Sequence, residues 1–364
     1  MSSSSTSSSR YLLAIGAIVL AAATLFVGAF SVTSGTPPQL TDHYWTAYVQ
    51  NEKERMAAQR TGPRILLFGS SSTFFGIKAA EIEKATGIPT INMATHGGNG
   101  VAYTLSEARK VSRPGDVAII LVDLSTWLLP PPISRQAVAV SYGLDNDFFR
   151  SASFSDKLTI LSHVELSDIV YAVQHHGEPL VKREAGGYWP LPINENGDLT
   201  LPPIDDATAA KRDAYAANLA KNYLERLVAI RLESVKTRGL EYLLERYVLG
   251  RVDGAIAYDR IAMARATNAA LEAKGVHVYY AVPPSIFAPN EQMTAELIDA
   301  SNGKLLGDPR DSMLPLDLMY DTVVHANRDG AERVTANLIA SLCREAMLAE
   351  HCARQRAIEA ETPP

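Results

Sequence analysis

Between Tyr11 and Val32 the chain reads YLLAIGAIVLAAATLFVGAFSV, 22 consecutive residues without a charge. As a helix rising about 1.5 Å per residue, such a run spans about 33 Å, enough to cross a hydrocarbon core roughly 30 Å thick. Only a Ser/Thr-rich tail and Arg10 precede it, and the next basic side chains are His43 and Lys53. The bias of positive charge toward the cytoplasmic side therefore keeps residues 1–10 inside and sends the chain from Thr33 onward out of the cytoplasm. A cleaved signal peptide is the competing expectation, with Val27-Gly28-Ala29 as a small-residue cleavage site. Apolar cores of signal peptides run about 7–15 residues, so the length favours an uncleaved anchor over residues 11–32. Both alternatives export the rest.

The exported part belongs to a sequence that is 47% apolar and 20% charged, values that allow one large domain with an insertion, or two domains. Net charge is −6 and no basic run occurs, which argues against nucleic acid or anionic lipid as partners of the soluble part. Cys343 and Cys352 are the only cysteines, in a chain expected to meet an oxidising compartment. On one unbroken helix they would stand about 14 Å apart, beyond the reach of a bridge. A disulfide therefore requires the helix to end near Glu350; two unpaired thiols are the alternative.

Residues 33–60 read as a linker, Thr33 to Pro38, followed by an amphipathic spacer helix, Gln39 to Arg60. Strands and helices then alternate. Arg64–Phe68, Pro89–Met93 and Asp116–Val122 are strand candidates, with helices over Ile77–Thr86 and Gly100–Val111 between them. This rhythm predicts parallel βαβ units. Prolines 130–132 break it, and residues 129–254 read as a mainly helical insertion. The insertion carries a helix near Asp156–Gln174 and a hairpin, Tyr188–Leu201, turning at Asn196-Gly197. A long helical stretch follows from about Asp206, punctuated by Gly239 and Gly250. The alternation resumes over 255–350 with Asp259 as an N-cap, a helix to Lys274, a stop at Gly275 and the strand Val276–Val282. Ala331, Val334, Leu338 and Leu342 recur at helical spacing in a last helix, and residues 351–364 form a tail.

Ligands of open α/β sheets sit beyond the carboxyl ends of the strands. Two polar or glycine-rich turns stand there, Gly69-Ser70-Ser71-Ser72-Thr73-Phe74-Phe75-Gly76 and Thr95-His96-Gly97-Gly98-Asn99-Gly100. A third segment, Tyr320 to Gly330, holds Asp321 and His325 ahead of the last helix. Serine, a glycine loop, then aspartate with histidine make up an inventory for nucleophilic catalysis. Rival motifs lack parts. Thr73 occupies the second glycine of an α/β-hydrolase elbow, and Gly97-Gly98-Asn99-Gly100 has neither the dinucleotide spacing nor a P-loop lysine. His175-His176-Gly177-Glu178 lacks a further clustered ligand, so no metal site is expected. Tyr188 and Trp189 pack in the hairpin or stack on a sugar ring.

The three segments resemble the SGNH, or GDSL-like, hydrolase superfamily, above all its membrane-anchored members of envelope acylation such as the DltD-type and alginate-acetylation proteins. The resemblance covers about Arg64–Val122 and Val276–Leu342 and leaves out the insertion. It implies a three-layer α/β/α sandwich around a parallel sheet, with Ser71 as nucleophile, His325 as general base, Asp321 as the acid that orients it, and the Gly97 amide in the oxyanion hole. Two departures stand out. The family places Asp three residues before His, where this chain has Thr322, with Asp321 one further back. The family's Gly-x-Asn block after the third strand is missing, and Asn99 or Asp123 is expected near the vacant place. The implied function is acyl transfer or ester hydrolysis on O-acyl groups, acetyl first, of an envelope or exopolysaccharide, without a cofactor and with room for a multi-pass membrane acyltransferase as partner. The alternative is a catalytically degenerate relative that binds glycan or scaffolds an acylation complex.

Overall fold

Ile65, Leu66, Leu67 and Phe68 are all buried to 1% exposure or less, as a strand covered on both faces requires. In the computed structural model they form the centre of a parallel sheet. The structure describes residues 5–33, 41–123, 127, 146–151, 157–158, 160–161, 164–174, 192–218, 254–287 and 291–361. The proline run, His175–Glu178, Tyr188, Trp189, Gly239, Gly250 and nearly all of the Thr33–Pro38 linker lie outside the described residues.

In chain order the elements are α1 (Ser5–Thr33), α2 (Thr41–Gln59), β1 (Ile65–Phe68), α3 (Ser71–Gly76), α4 (Ala79–Thr86), β2 (Thr90–Asn92), α5 (Gly100–Val111), β3 (Val117–Leu121), α6 (Asn146–Ser151), α7 (Leu166–Gln174), α8 (Gly254–Ala273), β4 (His277–Ala281), α9 (Glu291–Ala300), α10 (Arg328–Leu342) and α11 (Ala346–Glu361). Two compact units emerge: residues 1–48 with 138–186, and residues 49–137 with 187–364. Each is described by itself.

In the larger unit the strand order is β2-β1-β3-β4, every pairing parallel. The chain winds outward from β1 to β2 and then crosses to the other side of β1 for β3. The connections after β1 and β3 therefore part at the carboxyl edge and open a crevice there. Period-2 alternation splits the strand side chains between separate core clusters. Ile65, Leu67, Ile119 and Ala281 pack with Ile82 of α4 and with Val334 and Leu338 of α10. Leu66, Phe68 and Ala118 pack with Ala57 of α2, Ala108 of α5 and Leu271 of α8.

At the opposite, amino-terminal edge Arg64 and Asp116 form a fully buried ion pair at 2.5 Å. The Arg64 guanidinium also donates to the carbonyls of Ala57 and Val111, and Asp116 accepts from the backbone N–H groups of Arg64 and Arg113. Every charge is thus compensated, which is the condition under which such a pair is tolerated. Arg64→Met strands the Asp116 carboxylate and is expected to lower unfolding free energy by about 3–5 kcal/mol, read by chemical denaturation.

Several sequence expectations need correction. The hairpin bridges Ile193 to Leu199, but its turn is the longer Asn194–Gly197 bend, in which Gly197 N–H donates to Asn194 O at 3.0 Å and Gly197 alone takes a positive φ of 74°. A two-residue turn at Asn196-Gly197 would need positive φ at both positions. Asp259 lies inside α8, which begins five residues earlier, and so does not cap it. The tail from residue 351 continues as α11, anchored by Leu348 and Cys352, both buried to 1% or less. The helix break that permits a Cys343–Cys352 disulfide falls between Leu342 and Ala346, not near Glu350, and brings the two Cα atoms to 5.8 Å. α9 was not foreseen.

The hairpin serves the sheet directly. Asn196 O accepts the Asn92 N–H at 2.8 Å on the outer side of β2, and the Asp198 carboxylate accepts the N–H groups of Ala79 and Ala80 at 2.7 and 2.9 Å. A residue more than a hundred positions away thus caps α4 in place of a local side chain. Asp198→Ala is expected to lower stability by about 1–2 kcal/mol, the usual loss for a helix cap, measured by denaturant titration.

In the smaller unit α1 contains a 23-residue segment, Ser9–Ser31, long and apolar enough to cross a membrane and exposed over most of its length, with Phe30 near its carboxyl end buried in the protein. Its carboxyl-terminal end is described below with α6 and α7.

Candidate active site

Gly69 ends β1 because nothing larger fits: a Cβ there would lie 2.2 Å from Thr73 Oγ1. The chain then turns at once into α3, with Ser70 as its extended N-cap and Ser71 as the first helical residue. Ser71 is half-buried at the carboxyl edge of β1, beside the crevice that the strand order opens.

His325 reaches it from the far end of the chain. The loop from Met319 to Ala326 is closed by an antiparallel bridge between those two residues and by a 2.6 Å bond from Tyr320 N–H to His325 O. Asn327 then caps α10, accepting the Gly330 N–H at 2.9 Å. Within the loop His325 Nε2 lies 2.9 Å from Ser71 Oγ, and His325 Nδ1 lies 2.8 Å from Asp321 Oδ1. Asp321 and His325 are 2% and 6% exposed, so water competes little with either bond. The one-residue shift of the aspartate has a local cause. Thr322 turns its hydroxyl inward to accept the His325 N–H at 3.1 Å, which tightens the bend and leaves Asp321 opposite the imidazole.

Phe75 holds the other face of the imidazole, its ring centroid 4.1 Å from that of His325 and tilted by only 8°. It lies four residues after Ser71 on α3, and so on the same side of the helix. The four-residue spacing of Ser71 and Phe75 is present in the sequence. Lys211, in the helical stretch 206–218, places its ammonium 3.1 Å from Asp321 Oδ2, with its side chain 62% exposed. No pattern in the sequence marked Lys211.

The remaining candidates stand near but apart. Gly97 and Asn99 share a single helical turn after β2. His96 Nδ1 accepts the Gly98 N–H at 2.9 Å and His96 O accepts the Asn99 N–H at 3.0 Å, while the described contacts assign the Gly97 N–H no acceptor. Asn99 is 1% exposed; its Nδ2 donates to Thr95 Oγ1 at 3.0 Å and its Oδ1 has no hydrogen-bond partner among the described residues. Asp123 follows β3 and accepts from the Ser70 hydroxyl at 3.4 Å, while Ser70 Oγ lies 2.6 Å from Ser72 Oγ. Among the described contacts neither Asn99 nor Asp123 touches Ser71. Among the described residues no three His, Cys, Asp or Glu side chains cluster as metal ligands would.

The spacer helix α2 proves to be part of this region. From Val49 on it packs against the sheet unit, burying Gln50, Lys53 and Ala57 to 1% or less. The Lys53 ammonium bonds Ala94 O at 2.5 Å, just ahead of the glycine turn, and stands 3.6 Å above the ring of Phe74 in α3. One side chain thus ties together the two loops that carry Ser71 and Gly97. Complete burial pushes the Lys53 amine well below its usual range, with Asp198 pulling weakly the other way. The folded chain therefore binds this proton less tightly than the unfolded chain does. Stability should rise with pH between the lowered native value and the ordinary 10.5. The prediction is that wild type gains stability relative to Lys53→Met from pH 7 toward pH 10, as read by denaturant unfolding at both ends.

Chemically, the arrangement pairs a weak nucleophile with a buried base whose second nitrogen is fixed by a carboxylate. Comparison with family models, curated proteins and solved structures gives no match for this chain.

Proposed function

We propose that the chain is a membrane-anchored serine acyltransferase or esterase of the SGNH-like kind, its folded part outside the cytoplasm. It would act on O-acyl groups, acetyl first, of an envelope or exopolysaccharide. The observation that carries this is the continuous relay Asp321–His325–Ser71, with bonds of 2.8 and 2.9 Å at the carboxyl edge of a parallel sheet. Core clusters that divide alternate strand residues between different sets of helices support the three-layer α/β/α form of that fold.

In the proposed cycle Ser71 Oγ attacks the acyl carbonyl carbon while His325 Nε2 takes its proton. Asp321 holds the Nδ1–H and stabilises the imidazolium. The tetrahedral oxyanion is met by the N–H groups of Ser71 and Gly97; one such donor is worth about 10²–10³ in rate. Collapse expels the sugar oxygen, which takes the proton from Nε2, and leaves an ester on Ser71. A water or a second sugar hydroxyl, giving its proton to His325 Nε2, then attacks the ester carbonyl; the bond from the acyl carbon to Ser71 Oγ breaks, and His325 returns the proton to Oγ. The anchor favours an acceptor at the bilayer surface, and a multi-pass membrane acyltransferase fits as the donor's supplier.

Asp123 favours the second reading, a glycan-binding or scaffolding relative without turnover, because a carboxylate on the Ser70 hydroxyl lies one residue from the nucleophile and would oppose an oxyanion. Hydrolysis of a chromogenic acetyl ester by the full chain in detergent separates the two. Saturable turnover that disappears after treatment with a serine-directed fluorophosphonate supports the enzyme. Absence of both turnover and covalent adduct rejects it.

A further inference from the structure

Within the smaller unit, α7 carries an exposed apolar stripe that no described residue of that unit covers. Leu166, Val170 and Val173 are 73%, 48% and 60% exposed. Their spacing of four and three residues puts all three on one side of the helix, with the exposed Ser167 and Gln174 on the flank of that stripe. Ile169 and Val164, by contrast, are 6% and 8% exposed.

What covers the stripe is indicated by its neighbours. α7 packs against α1, the helix fit to cross a membrane. At the outer end of that span Phe30 is 1% exposed, its ring 4.7 Å from that of Phe149 in α6. The Lys157 ammonium stands 5.9 Å from the Phe149 ring, Arg150 is exposed beside it, and Leu158 is 52% exposed. Aromatic rings and basic side chains at the end of an apolar span are the composition of a membrane–water boundary, where ammonium and guanidinium groups reach the headgroups. A short helix held against the span, with an exposed apolar stripe flanked by polar residues, fits the plane of the interface.

We propose that α7 lies in the outer headgroup region of the same bilayer that α1 crosses, with Leu166, Val170 and Val173 against acyl chains. The chain then holds the membrane at two places, a crossing helix and a surface helix. This rests on α1 being an uncleaved anchor, and the experiment separates the two claims.

Cys343 and Cys352 are joined to each other, so a single introduced cysteine can be labelled selectively. A polarity-sensitive fluorophore is placed singly through Ile18→Cys, Leu166→Cys, Ser167→Cys, Val170→Cys, Val173→Cys and Gln174→Cys in the full chain, reconstituted in phosphatidylcholine vesicles with brominated acyl chains. The expected result is strong loss of fluorescence at positions 18, 166, 170 and 173 and clearly smaller loss at the flanking 167 and 174. Loss at 18 with none along α7, or equal loss at all five α7 positions, overturns the proposal and leaves the anchor standing. Energy transfer between labelled copies at 170, without bromine quenching there, overturns it in favour of a second copy as the occupant. No loss at position 18 overturns the anchor, and the surface helix with it.

Discussion

Ser71→Ala is expected to lower kcat against an acetyl ester by about 10⁵–10⁶-fold while the protein keeps its fold. The size follows from the relay being one device. Without Oγ there is no nucleophile for His325 to activate, and only general binding and oxyanion donors remain, worth about 10³–10⁴ over water in comparable sites. His325→Ala should lose about as much as Ser71→Ala, and the double variant should lose hardly more than either. Additive losses would show that the two groups act separately and that their 2.9 Å contact is incidental. The fold is expected to survive because the half-buried Ser71 hydroxyl contributes little to the core, so an unchanged thermal midpoint accompanies the lost activity.

Asp321→Asn is expected to reduce kcat by about 10⁴-fold. An asparagine keeps the shape but offers an N–H to His325 Nδ1, which then becomes an acceptor and leaves the proton on Nε2. That nitrogen faces Ser71 Oγ and can no longer take its proton. The substitution also removes the partner of Lys211, and a control isolates that effect. Lys211→Met should change kcat by less than about fivefold, because an ion pair with one partner mostly in water is worth only about 0.2–1 kcal/mol. A loss for Lys211→Met that matched Asp321→Asn would place the ion pair, and not the imidazole tautomer, at the centre of the site.

The site was legible because its parts sit where parallel strands end. Glycine or polar residues following Phe68 and Met93 marked two of the edges, and His325 with Asp321 preceded a helix whose apolar spacing was plain. The departure from the expected Asp–His spacing resolved into the Thr322 hydroxyl, a bond whose existence depends on how tightly a loop bends, which residue types alone do not fix. β1 and β3 were legible because the runs Leu66–Phe68 and Ala118–Leu121 are apolar throughout, as strands covered on both faces demand.

What escaped was long-range. Asp198 capping α4 and Lys53 joining the loops around Ala94 and Phe74 link segments distant in sequence, and neither residue stands in a pattern that announces its partner. The hairpin turn was misjudged because Asn196-Gly197 is a strong local signal, while the backbone bonded from Gly197 back to Asn194 instead. The C-terminal helix α11 was missed because Leu348 and Cys352 are too few apolar residues to give a helical period, and the bridge to Cys343 helps hold it in place.

The most direct test of the central claim is the intact mass of the protein after treatment with a fluorophosphonate, whose phosphorus is attacked by an activated serine as fluoride leaves. One adduct on wild type, located by peptide mapping to the segment Ile65–Lys78 and absent from Ser71→Ala and His325→Ala, is the predicted result. An unmodified wild type, or an adduct that persists in Ser71→Ala, contradicts a Ser71 nucleophile.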